Sequence, residues 1–166
     1  MDWGLLDEEV RLLVSRSAGI PYVNSAYPSE KQLRFELCIA HHLFAHYKMD
    51  ELVWNHLSAR LAPASDKYLI TSFPFMFEDI TPGNLSVSSD NYTGMVIHTA
   101  IYDKRPDVKA ICHLHSTAAL AVSCLQEGMQ FFSQESAGFY GKVSYHEWEG
   151  MSDDTSEQVL LSLLHQ

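Results

Sequence analysis

Arg105-Pro106-Asp107-Val108-Lys109-Ala110-Ile111-Cys112-His113-Leu114-His115, residues 105–115, carries the chain from a turn into a strand. Proline locks its own φ, removes a backbone donor and restricts its predecessor, so Arg105-Pro106 lies close to the end of the preceding helix. Val108 to His113 then has the apolar and β-branched content of a strand. Thr117 to Glu127 follows, with alanines, Leu120, Val122 and Leu125 suited to a closely packed helix. Strand followed by helix is the local result.

Upstream, Gly94 to Asp103 reads as the helix that ends at Arg105-Pro106. Before it, Leu85 to Ser89 reads as a short strand, with turns at Glu78 to Asn84 and at Asp90 to Thr93. Tyr68-Leu69-Ile70 is a strand entered from a turn at Pro63 to Asp66. Leu52-Val53-Trp54 and Leu57 to Leu61 read as two short strands broken by Asn55-His56. Ser29-Glu30-Lys31-Gln32 has capping-box spacing, and Leu33, Leu37, Ala40, Phe44 and Tyr47 supply the apolar stripe of the helix behind it. Residues 1–28 form an N-terminal unit: a short amphipathic helix over Leu5 to Val14, then an irregular connection through Ile20 to Pro28. Residues 29–166 form the main domain, in which Phe139 to His146 returns to the sheet and Asp153 to Leu164 is a final helix.

With 166 residues, 46% of them hydrophobic, the chain fills one continuous core. Eleven Lys and Arg against 21 Asp and Glu give a net charge of -10, which argues against salt-dependent attraction to nucleic acid or an anionic membrane surface. Cys38, Cys112 and Cys124 are an odd set with no Cys-x-x-Cys spacing, so reduced intracellular thiols are expected rather than a secreted disulfide framework. The start, Met1-Asp2-Trp3-Gly4, shows no basic region leading into a long apolar run, so neither a signal peptide nor a transmembrane segment is expected. The aromatic stretch Phe73-Pro74-Phe75-Met76-Phe77 is read as packing, and so are Trp54, Tyr102 and Tyr145.

The nine histidines carry the chemistry. His113 and His115 stand two apart on an extended segment, so their imidazoles project to the same side, where they serve either as a metal pair or as packing groups. A catalytic Zn²⁺ uses three protein ligands and an open position, so this pair is incomplete alone. His98 and His146 are long-range candidates for completing it. His41, His42 and His46 read as a solvated or satisfied helix surface. No His-Glu-x-x-His, glycine-rich phosphate loop or Gly-x-Ser-x-Gly elbow is present.

The Arg105-Pro106-Asp107-Val108 turn joined to His113-Leu114-His115 resembles the class II aldolase/adducin family. The likeness extends to Asn55-His56-Leu57-Ser58-Ala59-Arg60, Glu78-Asp79-Ile80-Thr81, Ala121-Val122-Ser123 and Phe139 through Gly150, the last resembling the adducin branch and its bacterial relatives. It implies an α/β fold, a single three-layer α/β/α domain with a central, largely antiparallel sheet, and a C-terminally shortened one. The family's later histidine ligand has no counterpart before His165-Gln166.

For chemistry, the resemblance implies a divalent metal, commonly Zn²⁺, with His113 and His115 as ligands. It implies an anion-binding role for Ser58 and Arg60, with His56 where the family's Asn stands. The family's acid/base Glu matches Gly94, which has no proton-accepting side chain. Retro-aldol chemistry needs both carbonyl polarisation and proton movement, so loss of the base favours a non-catalytic reading. The expectation is therefore an adducin-like protein-interaction or self-association domain: a pseudoenzyme forming a homo-oligomer or meeting a cytoskeletal protein, and residing in the cytoplasm or on the cytoskeleton. The alternative is a metal-dependent aldolase or epimerase acting on a small sugar derivative.

Overall fold

The computed structural model describes residues 27–87 and 91–145. The expected helices at Leu5 to Val14 and Asp153 to Leu164, together with His146 and Trp148, lie outside them. Helix α1 (Glu30–His46) opens at Ser29, whose hydroxyl accepts from the Gln32 amide at 3.3 Å. The reciprocal half of the expected box is replaced by a Gln32 side-chain bond to Glu36, one turn on. Strands β1 (His56–Arg60), β2 (Tyr68–Ile70), β3 (Ser86–Val87) and β4 (Ala110–His113) form one sheet in the order β3-β2-β1-β4, every pair antiparallel. Helix α2 (Tyr92–Lys104) is capped by Asn91, and short helices α3 (Thr117–Ser123) and α4 (Gln134–Ala137) follow β4.

Alternation along β1 explains why all five of its residues are buried. Leu57 and Ala59 join Leu33, Leu37 and Cys38 of α1, with Leu69, in the main apolar cluster. His56, Ser58 and Arg60 point to the other face, where α2 contributes His98 and Tyr102. Tyr68, Ile70 and Tyr102 form a second cluster there. Helix, sheet, helix is thus the layer order: an α/β domain with a central antiparallel sheet.

Several elements differ from expectation. Leu52-Val53-Trp54 is a turn, with Leu52 at φ 47° and Trp54 54% exposed; the strand starts only at His56. An apolar triplet next to Asn55 lacks the length to pair, and Asn55 is held locally by a bond to the Glu51 carbonyl. Phe139-Tyr140-Gly141 is a turn rather than a returning strand, with Gly141 at φ 70°. Tyr145 is exposed and takes a bond from the Met129 amide instead of filling the core. Of the Phe73 to Phe77 aromatics, Phe77 is buried, while Phe73 and Phe75 are exposed around a cis Phe73-Pro74 bond.

Candidate metal and polar site

Two periodicities meet on the face between β1 and α2. Alternate residues of β1, His56-x-Ser58-x-Arg60, advance roughly 7 Å per step. Residues four apart on α2, Gly94-x-x-x-His98-x-x-x-Tyr102, advance roughly 6 Å. The near match lets the two rows meet rung by rung. Gly94 faces the His56 ring, and a Cβ built there would stand 3.1 Å from His56 Cγ and 3.0 Å from Asn91 Oδ1. His98 bonds His56 Nδ1 through Nε2 at 2.8 Å and Ser58 Oγ through Nδ1 at 2.5 Å. Ser58 Oγ also pairs with Tyr102 OH at 2.8 Å. Arg60 lies 4.2 Å from the Tyr102 ring centroid.

The third row comes from β4, where His113 is the cross-strand partner of His56. Their rings stack with centroids 4.3 Å apart and planes 6° from parallel. His115, beyond the strand end, turns back so that its Nε2 lies 2.8 Å from His113 Nε2. Asn55 fixes that return, since its buried side chain accepts from the His115 amide at 2.8 Å. The dipeptide Asn55-His56 therefore braces both members of the pair.

Burial dominates the electrostatics. It lowers His56 to about 2, with further lowering from His98, His113 and His115. It lowers His98 to about 3, helped by His113, and His113 to about 4, helped by His115. These imidazoles are neutral at pH 7, the form in which nitrogen binds a metal. With its Nε2 2.8 Å from that of His115, neutral His113 fits one member of a pair of divalent-metal ligands. The fit stops at two, because no group of three His, Cys, Asp or Glu among the described residues is arranged to hold an ion. His98, expected as a distant contributor to the metal, instead bonds His56 and Ser58.

Ser58 and Arg60, the expected anion-binding residues, make internal bonds. Arg60 donates from Nε to Val108 O (2.8 Å), from Nη1 to Ser65 O, and from Nη2 to Tyr102 O and to Arg105 O (3.0 Å). That guanidinium ties β1 to the connection between α2 and β4, and it is buried. His41 likewise departs from the expected surface. Its Nδ1 donates to Leu37 O at 2.6 Å, so Nε2 accepts from Thr71 Oγ1 at 2.7 Å, and burial lowers it to about 4. His42 reaches Ile80 O at 2.9 Å.

Residues 35–166 match the family model for the class II aldolase and adducin N-terminal domain. A Pseudomonas aeruginosa protein assigned to aldolase class 2 is 32% identical over 80% of this chain and 56% of its own length. Alpha-adducin of Rattus norvegicus is 30% identical over 80% of this chain and 20% of its own. The chain thus spans little more than half of the first relative and a fifth of the second. Among solved structures, an aldolase II superfamily protein from Pseudomonas syringae superposes with a TM-score of 0.76 at 33% identity, covering 84% of this chain and 61% of that one. L-fuculose 1-phosphate aldolase from Glaciozyma antarctica gives a TM-score of 0.70 at 26% identity, covering 87% and 63%.

Proposed function

This chain belongs to the class II aldolase and adducin family, and we propose that it uses His113 and His115 to hold a divalent metal, Zn²⁺ first, in a lyase or epimerase acting on a small carbonyl-containing sugar derivative. The observation that carries this reading is the convergence of the two Nε2 atoms to 2.8 Å on a braced strand end. The likeness to solved aldolases supports it over a purely structural role. The metal, when bound, polarises a substrate oxygen. The chain's own groups do the rest: Asn55 holds the His115 backbone, His56 backs the His113 ring, and burial keeps His113 neutral. Position 94 offers no acid or base, so proton movement falls to a group other than the one the family resemblance implies.

That same position favours a second reading. Gly94 supplies no acid or base, which together with the likeness to alpha-adducin supports an adducin-like contact or self-association module that meets a second copy or a cytoskeletal protein. Elemental mass spectrometry after chelator-free purification separates the two. Near-stoichiometric Zn²⁺ that disappears in the His113→Ala/His115→Ala variant is expected. Metal-free wild type, together with concentration-dependent association in the ultracentrifuge, would replace the enzyme reading with the contact module.

A further inference from the structure

Between Tyr102 and Tyr145 the chain buries a single residue, Gly128. Strand β4 and helices α3 and α4 all lie in that stretch, yet the two apolar clusters take from it only the partly buried Val108, Ile111 and Leu114. Helix α3 is the sharpest case. From Ser116 to Gln126 the sequence holds no Asp, Glu, Lys or Arg. A largely apolar helix with no charged side is one that a folded protein covers. Among the described residues nothing covers it: Leu120 is 46% and Leu125 51% exposed, and no residue of α3 is buried. An open apolar surface of this kind calls for an occupant.

The course of the chain says which. Beyond α3 it folds back on itself, with the rings of Phe131 and Tyr140 meeting edge-on at a centroid distance of 5.4 Å. Tyr145 then accepts from the Met129 amide and seats its phenol on Gly128, where φ is 63° and a Cβ would collide with that phenol. The Gly128 amide in turn donates to Leu125 O at 3.0 Å. Tyr145 is thereby pinned beside the C-terminal end of α3, and residues 146–166 continue from that point. The helix expected over Asp153 to Leu164, beyond the described residues, gathers Val159, Leu160, Leu163 and Leu164 on one side. The link from Tyr145 to Asp153 spans up to roughly 26 Å when extended, against roughly 10 Å for the length of α3. The family match extends over residues 35–166, which puts this segment in the same domain as α3.

We propose that residues 153–164 dock as a helix along α3, with Val159, Leu160, Leu163 and Leu164 closing the apolar surface around Leu120 and Leu125. The short tether from Tyr145 makes the contact intramolecular, at an effective concentration of millimolar order, which places this segment ahead of a second copy. The docking needs neither a metal nor a partner, so it stands apart from both readings of the function. It also withdraws this surface from the contact-module reading, whose partner must meet the domain elsewhere.

The test is methyl NMR on the whole 166-residue protein with ¹³C-labelled leucine and valine methyl groups. NOEs from Leu120 or Leu125 to Val159, Leu160, Leu163 or Leu164 are expected in dilute, uniformly labelled protein. A mixture of labelled and unlabelled chains gives their origin. NOEs that cross from a labelled to an unlabelled chain would put a second copy on the surface and overturn the proposal, and so would their absence from both samples. Hydrogen exchange supplies an independent readout. Leu160→Asp should speed exchange of the 117–125 amides about tenfold or more, whereas Leu161→Asp, off the apolar side, should leave it unchanged. Equal acceleration by both variants, or none by either, counts against the docking. Exchange in β1 and β2 should stay slow in both, because their core is made with α1. Should a variant fail to fold, the wild-type NOEs decide alone.

Discussion

At Gly94 the backbone φ needs no glycine, yet the surroundings do. A Cβ would meet Asn91 Oδ1, which holds the Gly94 amide at 3.0 Å, and the ring of His56, which His98 holds in turn. Neither is a loose chain end that can swing aside. Gly94→Ala should therefore cost about 1–2 kcal/mol from overpacking, partly offset by better helix propensity. Gly94→Glu, which places a carboxylate where the family resemblance puts one, should cost more. Urea unfolding of Gly94→Ala, His56→Ala and the double variant checks this, with the double losing less than the two singles together because His56→Ala removes the clash. A Gly94→Ala protein more stable than wild type would dismiss the contact. Arg60 makes the opposite case, a side chain filled with partners. Arg60→Met strips donors from four carbonyls and should cost about 3 kcal/mol or more. Arg60→Lys should recover little, since a point charge cannot replace the planar fork, and the midpoint of thermal unfolding reads both.

Elements were legible where local chemistry alone decides them. The Ser29 cap, the stripe beginning Leu33 and Leu37, the Tyr68-Leu69-Ile70 strand and the helix ending at Arg105 all appear as their residues foretell. The His-x-His spacing also places two imidazoles together. What local chemistry does not carry is the pairing of one element's period with another's. Only the packing of α2 on β1 shows that the row His56, Ser58 and Arg60 lies against Gly94, His98 and Tyr102, although both spacings stand in the sequence. His41 shows the same limit, since the Thr71 partner that makes it a core residue comes from 30 positions away. Asn55, read as a break between strands, is the joint between β1 and the end of β4. Asn55→Ala should leave the sheet in place but free the His115 amide, weakening Zn²⁺ binding about 10- to 100-fold if the pair is a metal centre. Calorimetric titration with Zn²⁺ measures that loss, and an unchanged affinity would remove Asn55 from the site.

Among the described residues, three buried histidines and half-buried His113, all neutral, couple folding to protons. His41, His56, His98 and His113 stand at about 4, 2, 3 and 4 in the fold, against 6.5 for the free side chain. Above pH 6.5 these groups are neutral in folded and unfolded chains alike, and their contribution to stability does not change with pH. Below 6.5 the unfolded chain takes up protons that the folded one excludes, so stability falls as pH falls. Each histidine contributes a slope of about 1.4 kcal/mol per pH unit until its folded value is reached. The His41 and His113 contributions level off near pH 4, while those of His56 and His98 continue lower. Because the latter two share a hydrogen bond, their uptake belongs to the pair rather than to either ring. Set against a typical domain stability of about 5–15 kcal/mol, this coupling makes the fold sensitive to acid before most carboxylates are protonated. Urea unfolding between pH 7.5 and 5 should give a midpoint that drops steeply with acid and corresponds to several protons taken up on unfolding. His41→Asn, which lies on the α1 side of the sheet and away from the pair, should shallow that slope by about one proton. A slope below one proton in wild type would mean that these imidazoles are reached by water in the folded state, and with it the neutral, dry face between β1 and α2 would be lost as the basis of the site.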